Sequence, residues 1–392
     1  MPQKNMPKLF TVRRLYLVKI FLLVRAKRMK LRSGDWVEVK SKEEILKTLD
    51  GKAQLDGMPF MPQMFQYCGQ RFKVYKRAHK TCDTVYPVRG RRVLDSIHLD
   101  IRCNGEAFGG CQAACLIFWK EAWLIPIACT DQMFVSIQRN KPEEGTRSAG
   151  VTSCSEADVL AGTQAKDLND STEPRYICQA TQLPYFTTQL SGWDLRQYAE
   201  DYTSGNVTLS QILQGCIYAS YYNVIESGIG LGRFLRWLYD RFQSLVGGIP
   251  YPRRSGTLSV NQPTPTCTLD LQPGELVKVK SYQAILETLN TESKNRGLYF
   301  DAEMVPYCGG VYRVHDRLLK FLDEKTGKLV TLKTPALILE GVSCQARYSP
   351  CRMFCPRSIY SWWREVWLER VSENPRPVPE LRAEQSAARE RT

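Results

Sequence analysis

Chemistry is densest in the stretch RCNGEAFGGCQAACLIFWKEAWL, where Cys103, Cys111 and Cys115 precede an aromatic run. A second set, Cys344, Cys351 and Cys355, stands near the other end of the chain with the same spacing to within one residue. Thiolates are soft ligands, and several of them together hold a zinc ion at about 2.3 Å or the irons of a cluster. Cysteines four residues apart are one helical turn apart, so a helix would aim Cys111 and Cys115 at one centre, and Cys351 and Cys355 at another. Gly109 and Gly110 suit a tight loop that delivers Cys103 to them. For a fourth ligand the chain offers Cys68 and Cys308, at matched positions, and Cys82, whose counterpart Leu322 cannot bind metal. His79, His98 and His315 are further donors. The ligand set is thus Cys68, Cys82, Cys103, Cys111 and Cys115 in the first half and Cys308, Cys344, Cys351 and Cys355 in the second, for zinc or an iron–sulfur cluster. The competing reading is that these are small buried hydrophobes, as free cysteines often are. The same spacing occurring twice favours ligation.

Other chemistries find less support. Cys178, in Cys-Gln-Ala-Thr, could be a nucleophile, but no histidine lies between His98 and His315 to activate it. Gly228, Gly230 and Gly232 have the wrong spacing for a dinucleotide fingerprint and follow a helical pattern, so they read as a helix break. The sequence contains no P-loop and no His-Glu-x-x-His. Trp119 and Trp123, four apart, read as the packing face of the helix that would carry the cysteines, ahead of a ligand-stacking platform.

The elements that must position these residues come in two copies. GDWVEVKSKEEILKTLD from Gly34 matches GELVKVKSYQAILETLN from Gly274 at nine of seventeen positions, at an offset of 240. The register continues through Tyr67/Tyr307, Cys68/Cys308 and Gly69/Gly309, and resumes at the cysteines; Trp119/Trp363 and Trp123/Trp367 follow at 244. Each copy opens on an alternating strand, Val37 and Val39 in the first, and then a serine that caps a short helix, with Glu44 completing a capping box behind Ser41. The Leu-x-x-Gly-Asp-x-Val-x-Val opening, Leu31 to Val39, resembles that of small barrels of the Src-homology-3 and KOW kind, over fewer than ten residues per copy. The fold class expected is α+β: two homologous small β-barrel-plus-helix modules, an internal duplication, flanking a helical insert.

The domain reading is a basic arm over 1–33, module one over 34–128, a linker over 129–175, a helical insert over 176–248, a Pro/Ser/Thr linker over 249–271, module two over 272–371 and a disordered tail over 372–392. With 43% apolar and 10% aromatic residues the 392-residue chain can build real cores. Ten Lys or Arg and no acid fall in residues 1–32, which leaves +4 of the formal +14 for the rest. The body is therefore only mildly basic, and contact with polyanions is expected through the arm. The apolar run Leu15–Val24 is far short of the ~20 residues of a membrane span. Fourteen cysteines in a chain this long, with no clear secretory signal, point to a cytoplasmic, reducing setting. Three function classes follow: a metal-binding protein with a structural or redox role, a metal-dependent enzyme of a biosynthetic pathway, and a nucleic-acid-binding protein using the small barrels and the arm.

Overall fold

The structure, a computed structural model, describes residues 30–85, 90–127, 154–165, 173–228 and 230–371. The arm up to residue 29, Cys129, parts of the 129–175 stretch and the 372–392 tail lie outside the described residues. The described chain is mixed α+β.

The alternation at strand β1 (Trp36–Val39) leaves Val37 and Val39 fully buried and Trp36 on the outer face. Helix α1 (Lys42–Leu46) starts on the expected capping box, with Ser41 and Glu44 satisfying each other's backbone N–H groups. A two-strand ribbon follows, β2 (Gln54–Leu55) and β3 (Met58–Pro59), then β4 (Arg71–Arg77), β5 (Lys80–Cys82), β6 (Gly90–Val93), β7 (Ser96–Arg102), β8 (Leu116–Lys120) and β9 (Leu124–Ile127). Five of these form an antiparallel sheet in the order β8-β7-β4-β1-β9. Trp123 plugs its core, edge-on to Phe60 at 5.2 Å between ring centres, with Nε1 donating to Thr48 Oγ1 at 3.0 Å.

The middle of the chain carries α2 (Glu156–Ala161), α3 (Leu183–Phe186), β10 (Thr187–Leu190), α4 (Arg196–Thr203), α5 (Leu209–Glu226) and α6 (Gly232–Val246). The stretch expected as a helical insert thus also supplies a strand, β10, which pairs with β6 in a sheet ordered β10-β6-β5. Within the stretch expected as a linker, α2 buries Val159 in the first core. The glycine-rich junction does break the helix: α5 ends at Glu226, and Gly228 and Gly230 have φ of 76° and 81°.

The second lobe contains β11 (Leu276–Val279), α7 (Tyr282–Leu286), β12 (Lys294–Asn295), β13 (Leu298–Tyr299), β14 (Val311–Leu322), β15 (Leu329–Ser343), β16 (Tyr360–Trp363) and β17 (Leu368–Arg370). Its five-stranded sheet runs β16-β15-β14-β11-β17. Trp367 sits edge-on to Phe300 at 5.3 Å, with Nε1 donating to Thr288 Oγ1 at 2.8 Å. The hairpin β14–β15 is long enough to leave its own lobe, and Leu322 joins the first lobe's core, with Leu329 packed against it.

The expected cysteine-bearing helix does not form. Residues 111–115 are an irregular loop with Ala114 at φ 46°, and Leu116–Lys120 is strand β8, buried along its whole length. Ile117, Phe118 and Trp119 are β-branched and aromatic, types that pack well on a pleated surface. Trp119 and Trp123 still fill the core, but from a strand and a single 3-10 turn.

One buried cation joins three parts of the chain. The Lys80 ammonium, on β5, donates to Asp201 Oδ2 of α4 at 2.5 Å and to the Met353 carbonyl of the second lobe at 2.7 Å. It lies over the Tyr198 and Phe354 rings at 5.0 and 5.8 Å. Burial pulls its pKa down, against the raising effect of Asp201. Replacing Lys80 with Met removes the ammonium from the buried Asp201 carboxylate, leaving only the His79 imidazole beside it, and should cost about 3–5 kcal/mol, read as a lower midpoint in urea. A Lys80→Met, Asp201→Leu double variant should recover most of the loss, because apolar pairs of similar volume replace buried ion pairs at little cost. A single variant as stable as the parent would show that the joint carries no stability.

Candidate functional site: a thiol-lined cavity at the lobe seam

The loop between β7 and β8 is bent by left-handed glycines at Gly105, Gly109 and Gly110. A Cβ at Gly105 would stand 1.8 Å from the Cys111 carbonyl oxygen, so the loop closes on itself only because that side chain is missing. The hairpin β14–β15 docks on this loop. Gln112 N–H donates to the Lys320 carbonyl at 3.0 Å, and Leu322 N–H donates to Cys111 Sγ at 3.3 Å.

Between loop and hairpin lies a cavity of ≈ 380 Å³. Four cysteines stand in its wall: Cys103, Cys111 and Cys115 from the loop, and Cys178 from the turn before α3. Phe118, Phe321, Ile359 and Trp362 make much of the remainder apolar. Gln63 Nε2 lies 3.2 Å from Cys103 Sγ. Burial pushes the Cys103 thiol up to about 12 and raises those of Cys115 and Cys178 as well, with small mutual contributions among the four. Burial thus favours the protonated thiol at Cys103, Cys115 and Cys178, and a bound cation would favour their thiolates.

A cation also borders the cavity. Arg357 is 1% exposed, and its Nη2 donates to Glu324 Oε1 at 2.7 Å. Nε and Nη1 are buried and find no hydrogen-bond partner among the described residues. Glu324 in turn accepts from Thr84 Oγ1. Two free donors on a buried guanidinium favour an occupant that is anionic or rich in acceptors.

The structure divides the nine expected ligands among several places. Cys103, Cys111 and Cys115 share the cavity. Cys82 of the first lobe meets Cys355 of the second, whose Sγ accepts the Cys82 N–H at 3.1 Å, and Cys344 packs beside them. A thiol–thiol hydrogen bond between Cys82 and Cys355 lowers Cys355 and raises Cys82. Cys351 is exposed on another face. Cys68 and Cys308 cap matching 3-10 turns, each partly buried at the edge of its own lobe's core. His79 Nε2 lies 3.1 Å from Asp201, and His315 faces the Tyr360 ring. Among the described residues, no group of three or more His, Cys, Asp or Glu side chains is placed to hold a metal ion. The sequence offers Cys178 as a lone candidate nucleophile and not as a partner of the other three, and Arg357 and Glu324 carry no motif.

No protein-family model matches the chain, and no curated protein is found to be similar to it.

His98 is held as a neutral core residue. It is fully buried against the Phe118 ring, with Nδ1 2.9 Å from the Ile117 carbonyl, and burial pulls its pKa down to about 3. The unfolded chain therefore binds a proton near pH 6.5 that the folded chain refuses until about pH 3. The stability this contributes is full above the unfolded value and drains away as pH falls toward the folded one. From pH 7 to pH 5 the loss should be about 2 kcal/mol. Urea midpoints of the parent should fall over that range more steeply than those of His98→Phe. Parallel slopes would show that the imidazole titrates normally.

Proposed function

We propose that this protein binds a cysteine-ligated redox cofactor in the seam cavity, with Cys103, Cys111, Cys115 and Cys178 as its ligands. The carrying observation is that four cysteines from two distant segments line one cavity. An iron–sulfur cluster suits the site better than a zinc ion. Four thiolates around one zinc at about 2.3 Å must come within about 3.8 Å of one another, and no such convergence occurs among the described residues. A four-iron cluster takes each thiolate on a separate iron, so it accepts thiols spread around a cavity. A cluster bound by four thiolates is anionic, and Arg357 offers it a buried positive charge with two free donors. When bound, such a cluster supplies electron transfer. The chain's own residues ligate it, offset its charge and exclude water through the apolar wall.

The reading includes an internal duplication of a small barrel-like module. It is supported by the matching sheet orders β8-β7-β4-β1-β9 and β16-β15-β14-β11-β17. The matched Trp123–Thr48 and Trp367–Thr288 hydrogen bonds support it further. A reducing, cytoplasmic setting fits the described cysteines, which are free thiols. Among the described residues no helix is long and apolar enough to cross a membrane.

Protein purified without oxygen, or reconstituted with ferrous iron and sulfide, should hold about four irons and four sulfides per chain and be brown. Cys178→Ser and Cys111→Ser should each lose most of that content, while Cys351→Ser should keep it. Colourless protein with one zinc per chain would replace the cluster by zinc. Folded protein that takes up neither would end the reading.

A further inference from the structure

We propose that the helical hairpin α5–α6 docks this protein on the surface of an anionic lipid bilayer. The proposal is independent of what the cavity binds. Helix α6 is turned the wrong way for a soluble protein, with none of its residues buried. Its solvent side presents Phe234, Trp237, Leu238, Phe242 and Leu245, with Trp237 59% and Leu245 74% exposed. Two of its charged residues, Arg236 and Asp240, are turned toward the protein instead. Asp240 accepts the Tyr251 N–H at 2.7 Å and pairs with Arg254, and Arg236 pairs with Glu226 at 3.0 Å. An amphipathic helix normally buries its apolar stripe against the core and leaves its charges in water. Here the stripe faces outward, and among the described residues nothing covers it.

The apolar surface continues beyond α6. Helix α5 exposes Leu213, Ile217 and Val224. Trp193 and Leu195, both largely exposed, border the groove that runs along α5 past Cys216 and Ser220. Large apolar side chains exposed in such number on one helical hairpin mark an interaction site.

Charge selects the occupant. The exposed residues of α6 include Arg233 and Arg241 and no Asp or Glu. Across a two-fold contact with a second copy these arginines would be set against their own kind, because the helix's one carboxylate, Asp240, is turned inward and already pairs with Arg254. A bilayer surface with acidic headgroups answers both features, taking up aromatic and aliphatic side chains at the boundary and pairing the arginines with phosphates and carboxylates. A 15-residue helix is about 22 Å long, so it lies in the interface and does not span it. Stable attachment of this type usually combines two signals, and the ten Lys or Arg in residues 1–32 can act as the second.

The test is co-sedimentation of the full chain with vesicles of phosphatidylcholine alone and of phosphatidylcholine mixed with phosphatidylserine. The parent should bind the mixed vesicles and bind the neutral ones far more weakly. A Trp237→Glu, Phe242→Glu variant should lose about tenfold or more in affinity for the mixed vesicles, with an unchanged urea midpoint because both side chains are exposed. Three results would overturn the proposal. The parent could fail to bind the mixed vesicles. The double variant could bind as tightly as the parent, which would assign the affinity to the basic arm. Or the parent could be a dimer without lipid that the double variant makes monomeric, which would give the face to a second copy.

Discussion

The buried ammonium of Lys80 is the constraint on which the arrangement of the lobes depends. A lysine side chain leaves water only if its positive charge and three donors are answered. Here the answers come from different parts of the chain: a carboxylate from α4, a carbonyl from the loop after β15, and two aromatic rings. None of these partners belongs to the sheet that carries Lys80. Separating the lobes would take the Met353 carbonyl and the Phe354 ring from the buried ammonium, and moving α4 away would take its carboxylate, so the two lobes and α4 are tied at one point. The Arg77–Glu121 pair at 2.5 Å, with Glu200 of α4 on the same guanidinium at 3.3 Å, extends this logic along the first lobe.

Holding the second lobe in place also gives the cavity its far wall. Leu322 sits in the first core, Phe321 and Glu324 face the cysteine loop, and Arg357 closes the side. The cavity belongs to neither lobe alone. Its cysteines come from the first lobe and the turn before α3, while the groups that would balance a bound anion come from the second. Arg357 illustrates the cost: a buried guanidinium with two donor atoms unpartnered among the described residues is tolerated only where the fold holds it rigidly or where a ligand completes it.

The parts of the fold legible in the sequence were those set by local physics. The alternation at Val37 and Val39, the Ser41–Glu44 box and the glycine break after Glu226 depend on neighbouring residues, and each formed where its residues placed it. The expected cysteine-bearing helix does not form because a spacing of four is not by itself a helical period, and the run from Leu116 to Trp119 has the composition of a buried strand. The cavity was half legible. Cys103, Cys111 and Cys115 stand close in sequence and share a wall, but Cys178 reaches them only through the packing of α3 and its preceding turn. Nothing in its own neighbourhood announces that meeting.

The two cysteine sets show why equal spacing need not give equal sites. The loop holding Cys111 can bend sharply because Gly105, Gly109 and Gly110 take left-handed angles. The corresponding loop of the second lobe has Arg347 through Pro350 instead, fixed by buried Glu303, which accepts the Arg347 and Tyr348 N–H groups at 2.9 and 2.6 Å. That anchoring leaves Cys351 exposed and turns Cys355 toward the first lobe, where Cys82 meets it. Each thiol's neighbours are thus decided by what the opposite lobe presents. Because the two lobes pack asymmetrically, the loop of one encloses a cavity while the loop of the other is spent on the joint between them.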